Sequence, residues 1–254
     1  MGQETKSFRI GQISDTHLLA SSFGDEAFDV MERFERTLED VKRQHLDFLV
    51  FSGDLTEHSF KEEYESFFLK VAECGCPWTV IAGNHDRSED IGKFSPVEIP
   101  IHNGKIYYRR NINGFAFFFL DSSTGEVSKD QLEWLSEETS KEPGEVFLFM
   151  HHPPCLCGHR FMDARYALRN VEEVGRTLDG IKNLHSIFVG HYHSGMTIDR
   201  GAGQTVYVTP STQMELDPES STFRILSQTP GWRLIEYADG KLLTELRFIG
   251  SNKI

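Results

Sequence analysis

Apolar runs that end in side chains able to hold a metal recur along this chain. Ile13-Ser14-Asp15-Thr16-His17 offers Asp15 and His17, and Ser52-Gly53-Asp54 offers Asp54. Gly83-Asn84-His85-Asp86 offers Asn84 and His85, Met150-His151-His152-Pro153-Pro154 offers His151, and Gly190-His191-Tyr192-His193 offers His191 and His193. Neutral imidazoles and carboxylates suit zinc, iron and manganese, and an amide carbonyl adds a neutral oxygen donor. Two cations held close together repel, and a carboxylate placed between them offsets that repulsion, a place that suits Asp54. A lone D-x-H after a strand is usually a turn or a cap, and a lone G-H-x-H is equivocal. Five such elements in order, each closing an apolar run, argue for one site.

The elements that must position these groups are legible in the same runs. Phe8 to Ile13, Phe48 to Phe51, Trp78 to Ala82, Phe115 to Leu120, Val146 to Met150 and Ile187 to Val189 are rich in Val, Ile and Phe and read as strands. Between them lie helical patterns over Val30 to Lys42, with Val30, Phe34, Leu38 and Val41 on one face, and over Glu62 to Val71. Ser128 to Gln131 reads S-x-x-Q, a helix start of the capping-box type. Such alternation predicts an α/β protein, in which ligands bind at the carboxyl ends of parallel strands. Gly53, Gly83 and Gly190 would permit the tight strand-to-loop turns and close backbone approach that this requires. Phe117-Phe118-Phe119 reads as a strand buried on both faces. After His193, the stretches Thr205 to Thr209, Phe223 to Leu226, Arg233 to Tyr237 and Leu242 to Phe248 predict a late, mostly antiparallel sheet.

Composition narrows the class. The 254 residues carry 26 Lys+Arg against 39 Asp+Glu, a formal charge of −13, which disfavours a general nucleic-acid binder. With 39% hydrophobic and 26% charged residues, one domain over 1–254 is expected, with no linker or repeat to divide it. No apolar stretch approaches the roughly 18 residues of a membrane helix, and the N-terminus has no signal-peptide core, so a cytoplasmic location is expected. The 4 cysteines fall in two C-x-C pairs, Cys74/Cys76 and Cys155/Cys157, which fit a reducing compartment. One intervening residue is short for zinc ligands, so ordinary thiols are favoured over a Zn(Cys)4 site.

The ordered set D-x-H, G-D, G-N-H-D, H and G-H-x-H, spanning residues 15–193, resembles the calcineurin-like metallophosphoesterase superfamily. His151-His152-Pro153-Pro154, Met162-Asp163 with Leu168-Arg169-Asn170, Thr209-Pro210-Ser211-Thr212 and Pro230-Gly231-Trp232-Arg233 look like its bacterial cyclic-AMP phosphodiesterase (CpdA/Icc-like) branch, and extend the resemblance over nearly the whole chain. A glycerophosphodiesterase branch is similar around the metal motifs. The resemblance implies a four-layer α/β/β/α sandwich, two mixed β-sheets flanked by helices, with two metal ions (manganese, iron or zinc) at the strand ends. Carried over position by position, Asp15, His17, Asp54 and His193 would hold the first ion, and Asp54, Asn84, His151 and His191 the second. Of the adjacent His151 and His152, the former stands directly at the strand end; neighbouring strand residues point to opposite faces, so His152 would pack or support.

The resemblance further implies a phosphodiesterase acting on a small diester, a 3′,5′-cyclic nucleotide such as cyclic AMP first among them, through a hydroxide shared by both metals. His85 would donate a proton to, or stabilise charge on, the leaving oxygen; Asn84 would touch a phosphate oxygen as well as metal, and His193 joins them in contacting substrate. Asp54, Asn84 and His85 are thus the expected catalytic residues. Asp86 would orient His85 or cap a turn, and Asp121 would support a ligand histidine or cap a helix; Arg87 is a weaker phosphate contact. Cys155 to Asn170 would overhang the site and help choose the substrate. His58 stands where relatives often have glycine or another small residue, a departure that bears on the local loop and the pocket mouth. A glycerophosphodiesterase or broad-specificity phosphodiesterase is the alternative enzyme. A non-catalytic protein-binding module, as in the metallophosphoesterase-like subunit of retromer, is the alternative from another class, disfavoured by an ionisable His85. A phosphomonoesterase would want more basic side chains. The expected partner is a small phosphodiester, with no stable nucleic-acid complex and no membrane; a homodimer or higher homo-oligomer is compatible with the sequence.

Overall fold

The computed structural model describes residues 6–250. Along the first half run β1 (Phe8–Ile13), α1 (Asp25–Lys42), β2 (Phe48–Ser52), α2 (Lys61–Ala72), β3 (Trp78–Ile81) and α3 (Ser88–Phe94). Then come β4 (Tyr108–Ile112), β5 (Phe115–Phe119), α4 (Lys129–Ser140), β6 (Val146–Phe149), α5 (Arg160–Arg165), α6 (Val171–Gly180) and β7 (Leu184–Val189). The chain closes with β8 (Met196–Gly201), β9 (Gln204–Val208), β10 (Glu215–Leu216), β11 (Ile225–Ser227), β12 (Gly231–Ala238) and β13 (Lys241–Phe248). The expected strands and helices therefore form, with ends shifted by a few residues. Ser128 is the N-cap of α4, but its partner Gln131 does other work. The Gln131 amide donates to the Asp121 carbonyl (2.9 Å) and accepts from the Asp121 N–H (2.8 Å), tying the helix to the end of β5.

Two mixed sheets result. One has the order β13-β12-β1-β2-β3, with β1, β2 and β3 parallel; the other has the order β4-β5-β6-β7-β9-β8, with β5, β6, β7 and β9 parallel. The β5 alternation shows why they stack. Phe117 and Phe119 face the first sheet, Phe117 lying with Phe147 against Phe8, whereas Phe118 turns outward to Trp134 of α4. Successive strand residues point to opposite faces, so a run of three phenylalanines feeds two hydrophobic layers at once. α1 and α2 cover the outer face of the first sheet through Phe34, Leu38, Tyr64 and Phe67, and α4 and α6 cover the second through Leu132, Leu135, Val174 and Leu178. The architecture is the four-layer sandwich.

The late sheet does not exist as a unit. β9 enters the second sheet parallel to β7, β12 and β13 extend the first sheet antiparallel beside β1, and Phe223 to Leu226 yields only β11, paired with β10 as a separate hairpin. Strand periodicity specifies which face of a strand is buried and carries no information about which edge it joins.

Candidate metal centre

The parallel strands β1, β2, β3, β6 and β7 all release their chains at one edge of the sandwich, and the loops there are stitched together. Asp15 N–H donates to the Gly53 carbonyl (3.0 Å) and His17 N–H to the Asp54 carbonyl (2.9 Å). Asp15, His17, Asp54, His191 and His193 have left-handed backbones, with φ of 54°, 43°, 50°, 66° and 50°. Such conformations cost non-glycine residues about 1–3 kcal/mol each and persist only where the surroundings impose them. The turns at Gly83 and Gly190 have no room for a side chain. A Cβ on Gly190 would sit 1.8 Å from Ser14 Oγ, and one on Gly83 2.2 Å from Asp54 Oδ1.

These turns bring the seven expected ligands to one place. His17 Nε2 and His193 Nε2 are 3.1 Å apart, and Asp15 Oδ1 is 3.4 Å from His193 Nε2 and 4.0 Å from His17 Nε2. On the other side, His151 Nε2 is 3.2 Å from both Asn84 Oδ1 and Asp54 Oδ2. The same Asp54 Oδ2 lies 3.7 Å from His17 Nε2, so this oxygen stands between the two groups. Asp15, His17 and His193 form one potential ligand cluster and Asp54, His151 and His191 another; Asp54 and His17 also make a third with His85. His152 faces elsewhere. Its backbone N–H donates to Ser122 Oγ (3.1 Å), its Nδ1 is paired with the same hydroxyl (2.9 Å), and its ring packs on His191.

The donor chemistry fits cations. His17 Nδ1–H donates to Glu57 Oε2 (2.6 Å), His151 Nδ1–H to the Ser52 carbonyl (2.8 Å) and His191 Nε2–H to the Tyr166 carbonyl (3.0 Å). In the neutral ring each bond fixes the tautomer and turns the opposite nitrogen's lone pair toward the cluster, the outer support usual for metal-binding histidines. Burial would strip protons from His17 and His151. The Glu57 hydrogen bond and the Asp54 and Asp15 carboxylates nevertheless push His17 up to about 9, and Asp54 and Asp15 push His151 up to about 9. Burial likewise opposes charge on Asp15, but His193 and His151 bring it down to about 2. His191, buried and beside His151, is held down at about 3, so it stays neutral. Carboxylates that draw protons onto His17 and His151, beside a His191 held neutral, mark a place where a bound cation would take over from those protons.

His85 sits at the rim. Its Nδ1–H donates to the Glu57 carbonyl (2.9 Å), its backbone N–H donates to Asp54 Oδ1 (2.8 Å), and the ring lies edge-on to His17 at 4.9 Å. Glu57, absent from the expected site, thus holds His17 with its carboxylate and His85 with its carbonyl. The signal available in the sequence was its position three residues after Asp54. Asp86 does not orient His85. Its carboxylate accepts from the N–H groups of Gly83, Leu55 and Thr56 and from the Tyr64 hydroxyl, bracing two ligand loops against each other. Asp121 touches no ligand histidine and accepts from Ser88 Oγ (2.6 Å) and Ile106 N–H (2.8 Å). Arg87 is exposed and does not line the cleft. Among the described residues, no cysteine joins a potential ligand cluster, and all four thiols are free.

The ligand cluster floors a cleft of about 820 Å³. Of the stretch Cys155 to Asn170, Phe161, Met162 and Tyr166 reach this cleft, as does His58. The contribution of Gln213, Met214 and Leu216, with Phe223 and Ile225, was not foreseen, nor was Arg33 of α1.

The profile of the Calcineurin-like phosphoesterase family matches residues 8–195. The chain belongs to that family. It is 46% identical over 245 residues to a probable cyclic nucleotide phosphodiesterase of Fibrobacter succinogenes, covering 96% of this chain and 95% of the relative. It is 30% identical over 264 residues to the 3′,5′-cyclic adenosine monophosphate phosphodiesterase CpdA of Escherichia coli K12, covering 96% and 91%. Among solved structures, a dimetal phosphatase from Danio rerio superposes with a TM-score of 0.68 at 16% identity, covering 93% of this chain and 98% of that one, a likeness of fold alone.

Proposed function

We propose that this protein is a binuclear-metal phosphodiesterase that opens a 3′,5′-cyclic nucleotide, cyclic AMP first among them. The observation that carries the reading is Asp54 Oδ2 standing between two converging sets of donors at the floor of a nucleotide-sized cleft. Similarity over almost the full length to relatives named as cyclic-nucleotide phosphodiesterases supports the substrate. Asp15, His17, Asp54 and His193 would hold one ion, and Asp54, Asn84, His151 and His191 the other, with manganese, iron or zinc suited to these donors. Such a metal pair, when bound, polarises phosphoryl oxygens and makes water nucleophilic near neutral pH.

The remaining work falls to the chain itself. His85, with Nδ1–H committed to the Glu57 carbonyl, presents Nε2 to the cleft and, when protonated, delivers that proton to the leaving oxygen. The Asn84 amide nitrogen and His193 contact phosphate oxygens as the ester turns over. The excess of acidic side chains is compatible with an anionic substrate because bound cations supply the attraction, and it weighs against a long nucleic-acid strand. No helix among the described residues is long and apolar enough to cross a membrane, and four free thiols agree with a cytoplasmic setting.

The test is metal analysis of the purified protein joined to hydrolysis of cyclic AMP, cyclic GMP, a glycerophosphodiester and a phosphomonoester after reconstitution with Mn²⁺, Zn²⁺ or Fe²⁺. Two ions per chain and the highest kcat/KM on a cyclic nucleotide are expected. Full activity in metal-stripped protein overturns the mechanism, and far faster turnover of the glycerophosphodiester overturns the substrate.

A further inference from the structure

One wall of the cleft is aromatic, exposed and assembled from two distant segments. Phe161 of α5, only 9% exposed, stands edge-on to Tyr166 (ring centroids 5.6 Å apart) and to Phe223 of the β10–β11 hairpin (6.0 Å). Tyr166 and Phe223 remain 50% and 57% exposed although both line the cleft. Large rings left open to water within a concave site mark a surface for an apolar, planar group.

Both halves of the wall hang from the loop that carries His191 and His193. The Tyr166 carbonyl accepts the His191 Nε2–H (3.0 Å), while Leu216 N–H donates to the His193 carbonyl (3.0 Å) and Ser194 Oγ–H to the Leu216 carbonyl (2.9 Å). The rings are therefore positioned by the same residues that converge on the phosphate-cleaving centre. The polar lining of the cleft is informative as well. Away from the ligand cluster its charged groups include Glu26 and Asp29, and Arg33 has its Nε–H committed to Gln213 Oε1 (2.8 Å). With two carboxylates against one guanidinium, this lining suits an uncharged group with hydrogen-bond donors, such as the exocyclic amine of a nucleobase, better than a second anionic group.

We infer that Tyr166 and Phe223 form the base-stacking wall of the substrate cleft, and so select a diester carrying a nucleobase over one carrying none. The inference rests on the cyclic-nucleotide reading above and names the residues that enforce it. Neither ring contacts the scissile phosphate; their contribution is to hold the organic end of the substrate while the ester lies over the metal ligands.

The experiment compares cyclic AMP with abasic ribose 3′,5′-cyclic phosphate, the same ester without its base, in the metal-loaded wild type and in Tyr166→Ala, Phe223→Ala and the double variant. Base stacking on an aromatic side chain is commonly worth enough to change affinity by about 5- to 100-fold. The ratio of kcat/KM for cyclic AMP to that for the abasic ester should fall by about this factor in the double variant, chiefly through KM, and Tyr166→Phe should restore the Tyr166 share. An unchanged ratio, whether because both substrates suffer equally or because neither does, overturns the wall while leaving the cyclic-nucleotide reading standing. Wild-type protein that carries its metals yet turns over no cyclic nucleotide overturns that reading and the wall with it. Because both side chains are half-exposed, the variants should melt with the wild type, and a melting curve on each preparation verifies that.

Discussion

Asp54 and His85 are neighbours in space with separable tasks. Asp54 Oδ2 lies between both donor sets, whereas His85 touches that carboxylate only through its backbone N–H. Asp54→Ala should therefore lower the metal content below two ions per chain and abolish most turnover. His85→Ala should retain the metals and reduce kcat by about 10²- to 10⁴-fold, the usual contribution of a positioned proton donor. Metal analysis with steady-state kinetics on both variants checks this; full activity in either contradicts its assignment. Glu57 acts one step further out, its carboxylate 2.6 Å from His17 Nδ1. Removing such outer support typically costs about 10- to 100-fold in metal affinity or activity, so Glu57→Gln should bind one ion more weakly in a chelator titration while the metal-free protein remains folded.

At the scale of elements, α1 is fastened to the strands that close the first sheet. Asp40 accepts from Trp232 Nε1–H of β12 (2.9 Å), from Arg247 Nε–H of β13 (3.3 Å) and from Arg43 (3.0 Å). Burial alone would raise the Asp40 pKa, but these donors outweigh it and hold the carboxyl below its ordinary value of 3.8. A folded-state value lowered in this way adds stability that is present above the unfolded-state pKa and lost as pH falls through the folded one. The difference in unfolding free energy between wild type and Asp40→Asn should therefore be constant near neutrality and shrink once the pH drops below about 4. Urea melts at several pH values measure it; a gap that widens on acidification contradicts the ion-pair account. The site is remote from the metal ligands, so cyclic-nucleotide turnover provides no competing explanation.

The two sheets and the ligand centre are coupled across the whole molecule, since β1, β2 and β3 come from one sheet and β6 and β7 from the other. Ions bound there would clamp the sheets together at their common edge and offset the buried charge of Asp15 and Asp54. Ligands that bind only the folded state stabilise it by about 2.7 kcal/mol at a hundredfold excess over Kd, so chelation should lower the Tm by several degrees and Mn²⁺ should restore it. An identical Tm with and without metal contradicts the placement of ions between the sheets. Much of this was already legible as sequence: Asp15, His17, Asp54, Asn84, His151, His191 and His193 each follow an apolar run that ends there, and local chemistry plus strand periodicity suffices to propose that they meet. Phe117-Phe118-Phe119 was legible for the same reason, since alternation along a strand is a local property. Tertiary structure alone decided the rest. Glu57 on His17, Tyr166 on His191 and Leu216 on His193 pair residues far apart in the chain, as does the return of β12 and β13 beside β1. Those pairings follow from how loops close and which strand edge is still free once the layers have stacked, and that information resides in the geometry of the assembled sheets rather than in any one segment.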